Sequence, residues 1–147
     1  MPHIALTALA LATIAVACGQ EPDLVLNLEN KTPPTFSFSS RSLATDFEIL
    51  ELPRTKPLSK AYSLKGETIW KISAAEMIKA DKWPGVTYGN VPNGFSQTIP
   101  EHGPPPKLAE DKLYVARIVG GKDAETSLFF ELRNGRPVNV TDEVFGP

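Results

Sequence analysis

The chain reads as all-β, a sandwich of about seven or eight short strands with a loop-rich insertion, and three observations carry that reading. Apolar residues recur at every second position in short runs, the spacing of a strand with one face in a core. Fourteen prolines, including Pro33-Pro34, Pro53, Pro57 and Pro104-Pro105-Pro106, break the chain too often for long helices. Tight-turn pairs, Asn93-Gly94, Gly120-Gly121 and Asn134-Gly135, stand between the runs. The one stretch of good helix formers, Ala74 to Lys82, is nine residues long and marginal as a helix, so it reads as a turn of helix or an irregular crossover.

In chain order, Thr35 to Ser39 alternates strictly, with Phe36 and Phe38 on one face, and Phe47 to Leu52 continues until Pro53 stops it. Arg54 to Gly66 is a polar connection, and Thr68 to Ile72 follows as a third strand with Trp70 and Ile72 facing inward together. Val86 to Tyr88 extends. Asn93-Gly94 between Val91 and Phe95 signals a hairpin, which Pro92 confines to an edge. Pro100 to Pro106 is a stiff extended loop. Leu113 to Val119 then places Tyr114, Ala116 and Ile118 in the core, and Ser127 to Arg133 returns with Leu128, Phe130 and Leu132 on one face. Asn134-Gly135 turns into Arg136 to Val140, and Thr141 to Pro147 reads as a tail.

Before the domain stands Ile4 to Val16, thirteen residues without a charge, long enough for the apolar region of a secretion signal and short of a membrane span. Ala15-Val16-Ala17-Cys18 resembles the lipobox of bacterial lipoproteins, with Ala15 where that family usually has Leu and with no Lys or Arg in Met1-Pro2-His3. The resemblance implies cleavage after Ala17, lipid attachment at Cys18 in the cell envelope and, with Gly19 following, the outer membrane (periplasmic face or surface) if that envelope is Gram-negative. The alternatives are a secretory peptide cut near Ala17 that leaves Cys18 free, and a buried N-terminal helix. The expected organisation is a signal at 1–17, a lipidated tether at 18–34, a β-sandwich at 35–140 and a tail at 141–147. Leu24, Leu26 and Leu28 alternate with Val25, Asn27 and Glu29, so part of the tether can pair as a strand.

A second resemblance covers most of residues 33 to 140. Leu108, six residues before Tyr114 at the start of an alternating strand, is similar to the tyrosine corner of fibronectin type III and immunoglobulin-like sandwiches, where the hydroxyl returns to an upstream backbone group. That family also keeps a core tryptophan, a place that Trp70 on the third strand would fill. The chain lacks the paired cysteines of antibody domains and carries a long insertion from Ser73 to Pro106.

Composition narrows the function classes. With 15 Lys and Arg against 17 Asp and Glu there is no basic field for nucleic acid. The single cysteine, once acylated, leaves no thiol for a disulfide, so burial alone must hold the fold. No His/Cys cluster or calcium-spaced acidic loop suggests a metal, and no glycine-rich loop suggests a phosphate cofactor. Catalysis finds one histidine after the signal, His102, in a proline-rich loop without an evident partner, and Glu48 and Glu51 on opposite faces of one strand.

A binding face remains. Trp83, Tyr88 and Phe95 fall within thirteen residues of the insertion, among prolines and glycines, as anchors on rigid loops would. The competing possibility, favoured by the burial needs of a small domain, is that these rings cap the open ends of the sandwich. Val115, Arg117, Val119, Phe129, Glu131 and Arg133 form a second, mixed face. The expected function is therefore a membrane-anchored, non-catalytic binding or structural module for an envelope protein or polysaccharide. A peptidase inhibitor using the loops at 83–106, and a small hydrolase built on His102, are the alternatives.

Overall fold

A computed structural model of the chain describes residues 24–53, 66–121 and 125–145. The signal, Cys18 and the connection at 54–65 lie outside these residues. Among the described residues nine strands form two antiparallel sheets. β1 (Val25–Glu29), β2 (Thr35–Ser39) and β5 (Val86–Thr87) make the small sheet in the order β1-β2-β5. The large sheet contains β3 (Leu43–Leu52), β4 (Glu67–Lys79), β6 (Phe95–Ile99), β7 (Leu113–Gly120), β8 (Glu125–Arg133) and β9 (Arg136–Asn139). Its order is β6-β4-β3-β7-β8-β9. This is an all-β sandwich.

The main core lies between the sheets because each strand turns its alternate apolar residues to the same side. Phe36 of β2, Phe47 of β3, Trp70 and Ile72 of β4, and Tyr114, Ala116 and Ile118 of β7 are all sealed there. Phe36 touches the rings of Phe47 and Phe130 across the sandwich at centroid distances of 5.1 and 5.5 Å. A second core forms on the outer side of the large sheet, where Leu50, Leu52, Leu113, Val115 and Phe129 are buried with Val140.

Five expectations are corrected. The sandwich begins inside the stretch assigned to the tether: β1 pairs with β2 from Val25 opposite Ser39 to Glu29 opposite Thr35, burying Leu24 and Leu26. Trp70 is therefore on the fourth strand rather than the third, beside β3, whose core ring is Phe47. Residues 74–79 are strand rather than helix or crossover, because Ala74 pairs with Phe95 of β6 at one end of the stretch and Ile78 and Lys79 pair with Ala44 and Leu43 of β3 at the other; Ala80–Lys82 coil as a 3-10 turn. Thr141–Phe145 is a short helix, α1, and Val144 packs on the second core.

Asn93-Gly94 also forms a turn, closed by Phe95 N–H to Pro92 O at 3.2 Å, but no hairpin. The strands on either side belong to different sheets: β5 pairs with β2, and β6 with β4. β6 is the edge of the large sheet, as Pro92 required of its surroundings.

Candidate functional site

Of the three aromatic residues expected to bind, Trp83 is core, with 6% of its surface exposed. It follows the 3-10 turn directly, and its indole meets Phe95 edge-on at 4.7 Å and Phe38 at 5.4 Å. Its Nε1 is buried without a hydrogen-bond partner. Phe95 is half-buried against the same core. Tyr88 meets Trp70 edge-on at 5.3 Å. The rings are brought together, but by packing on the sandwich, so Trp83 and Phe95 are capping residues and only Tyr88 reaches a surface feature.

That feature is an open groove of about 360 Å³ at one end of the sandwich. One wall is Pro33-Pro34, between β1 and β2; the other is Pro104-Pro105-Pro106; Leu108 and Leu132 add apolar surface. Tyr88 fixes the second wall by donating its hydroxyl to Pro106 O at 2.7 Å. Gly89 beside Pro105 sits at φ +79°, a backbone conformation that side chains rarely adopt, so glycine is required there by the turn. Thr32 ties the first wall to the β8–β9 turn through its hydroxyl and Gly135 O at 3.0 Å. Burial pushes the Tyr88 phenol well above its ordinary pKa, with smaller contributions from Tyr114 and Glu51.

The tyrosine corner lies against this end. Ala109 N–H donates to the Tyr114 hydroxyl at 2.8 Å, and the ring stacks with Phe130 at 5.5 Å. Leu108 is half-buried and packs on the main core. Beside the groove, Gln97 of β6 accepts Trp70 Nε1 at 3.0 Å and donates Nε2 to Pro100 O and Gly103 O, both at 2.8 Å. Glu101 and His102 are exposed on the loop so held.

The mixed outer face is largely occupied by the chain itself. Val115 and Phe129 belong to the second core. Arg117 pairs with the buried Glu48 and, at 3.5 Å, with Glu125, while Thr68 donates to Glu48 at 3.3 Å. Arg133 bridges Glu131 at 2.7 Å and Glu143 of α1 at 2.6 Å. Glu51, on the opposite side of β3 from Glu48, takes Lys112 at 2.9 Å.

Among the described residues no group of three or more His, Cys, Asp or Glu side chains is placed to hold a metal ion, and no helix is long and apolar enough to cross a membrane. Sequence reasoning missed the groove because its walls are some seventy positions apart. The signal available was the repeated proline clusters themselves. In comparison with known proteins, no family model, no curated protein and no solved structure matches the chain.

Proposed function

We propose that this chain is a lipid-anchored lipoprotein of the bacterial cell envelope whose β-sandwich binds an extended segment of a partner protein and carries out no catalysis. The groove between Pro33-Pro34 and Pro104-Pro105-Pro106 is the observation that carries the binding part. Its walls are ring-stiffened and tied by Tyr88 and Thr32, so little order is lost when a ligand enters. Proline faces and leucines suit the side chains of an extended peptide better than the hydroxyls of a sugar, since the Tyr88 hydroxyl is already engaged. The anchor part rests on Ala15-Val16-Ala17-Cys18 and the uncharged run before it.

The test is site-specific photocrosslinking in intact cells from position 107, at the groove, with a matched probe at position 27 on β1. A discrete protein adduct from 107, absent from 27 and abolished by Leu132→Glu in a chain of unchanged stability, supports the reading; adducts of equal pattern from both positions sink it. Carbohydrate in the adduct would replace the protein partner with a polysaccharide. Separately, Cys18→Ser should move the chain from the membrane to the soluble fraction.

One observation favours the peptidase-inhibitor reading as a second. Gln97 pins Pro100 and Gly103 and leaves Glu101 and His102 exposed between them, a braced loop of the kind that enters a cleft without further ordering. Incubation of the full chain with a panel of peptidases at micromolar concentration tests it, and absence of inhibition removes it.

A further inference from the structure

Strand register assigns each end of the sandwich a distinct surface. At the end where the chain enters, Leu24 O accepts Thr126 Oγ1 at 2.6 Å, Val25 lies opposite Ser39, Leu43 opposite Lys79, and Ala44 opposite Gly120. At the other end, Glu29 lies opposite Thr35 and Thr35 opposite Thr87, next to the groove. The ten residues of β3 separate the two ends by roughly 30 Å.

Large hydrophobic side chains exposed among the described residues are Val25 at 42%, Leu43 at 44% and Met77 at 50%. All three lie at the entry end. Met77 belongs there because its Sδ would sit 3.4 Å from a Cβ on Gly121, whose N–H donates to Leu43 O at 3.2 Å. The chain leading into this end puts Cys18 six residues before Leu24, a reach of about 20 Å when extended. A lipid at Cys18 therefore holds this end, and not the groove, within contact distance of a bilayer. Around the apolar residues, exposed Arg41, Lys79 and Lys82 are interspersed with exposed Glu76 and Asp81, charges of both signs that leave no strong basic field, so the attraction is apolar rather than electrostatic.

We infer that the end of the sandwich carrying Val25, Leu43 and Met77 rests on the lipid surface, so that the domain stands end-on and the proline-walled groove opens away from the membrane. This rests on the anchoring of Cys18 proposed above.

The experiment uses the full chain, recovered from membranes of an expressing bacterium and reconstituted in phosphatidylcholine vesicles. An environment-sensitive fluorophore is placed in turn on Leu43→Cys, Met77→Cys and Lys107→Cys, all exposed positions. The labels at 43 and 77 should shift to the blue and lose most of their intensity to a lipid-borne quencher, in low and high salt alike, while the label at 107 responds only to an aqueous quencher. Chains that float with the vesicles yet show all three labels equally open to water overturn the end-on arrangement and leave the anchor standing. Chains that float no better than Cys18→Ser overturn the anchor, and the arrangement with it.

Discussion

Trp70 and Gln97 are joined across the edge of the large sheet by an indole-to-carboxamide hydrogen bond of 3.0 Å, and through it the most deeply buried indole positions a surface loop. Gln97→Glu keeps an acceptor for the indole but loses both donors to Pro100 and Gly103. Gln97→Leu loses all three bonds. We expect both to raise amide exchange at residues 101–103 and to lower stability, Glu because its carboxylate oxygen is repelled by the Pro100 and Gly103 carbonyls, and Leu by about 1–3 kcal/mol because Trp70 Nε1 is left unpaired. Hydrogen exchange reads the first effect and urea unfolding the second.

The two tryptophans should respond unequally to phenylalanine. Trp70→Phe orphans Gln97 Oε1, whereas Trp83→Phe removes a buried N–H that has no partner. Trp70→Phe is expected to be the more destabilising by about 1 kcal/mol or more, read from urea midpoints at constant slope.

Tyr114→Phe retains the stack on Phe130 and deletes the acceptor of Ala109 N–H. A loss of about 1–2 kcal/mol is expected, with faster amide exchange at Ala109; a loss near zero would mean that the corner contributes nothing to this sandwich.

Arg117→Met leaves Glu48 buried with only the Thr68 hydroxyl, and should cost about 3 kcal/mol or more. Adding Glu48→Leu should recover much of that, since an apolar pair needs no charge compensation. A double variant no better than the single would refute this account of the pair.

Folding raises the Tyr88 phenol, and to a lesser degree that of Tyr114, above the ordinary value, in both cases chiefly by burial. The folded state therefore holds these protons at a pH where the unfolded chain releases them. Their contribution to stability is complete below a pH of about 10 and falls as pH rises beyond it. Unfolding monitored from pH 8 to pH 11 should show a decline in the upper part of that range, smaller in Tyr88→Phe.

Strict alternation made β2, β7 and β8 legible, along with the inward placing of Phe36, Tyr114 and Phe130, because a half-buried strand writes its period directly into sequence. Ala74 to Lys79 misled for the opposite reason. Those residues favour helix locally, but pairing of Ala74 with β6 and of Ile78 and Lys79 with β3 overrides so weak a preference. The role of Trp83 and Phe95 depends on which rings lie across from them, and Phe38 belongs to another sheet. Val140 and Val144, four apart, were the mark of α1, hidden by the shortness of the segment. The groove could be read from no single window, since its walls meet only once β1 and β2 have turned back toward residues 104–106.

β1 runs along the sandwich from the entry end to the groove end, antiparallel to β2 over five facing pairs. Tension between the chain before Leu24 and a load borne by the Pro104–Pro106 wall acts parallel to that strand. Every rung of the ladder is then strained in shear at once, whereas a pull across the strand would open the rungs one after another. The attachment of β1 is thus oriented to withstand traction along the strand direction, the direction in which the proposed anchor at Cys18 and the proposed partner in the groove would stretch the domain.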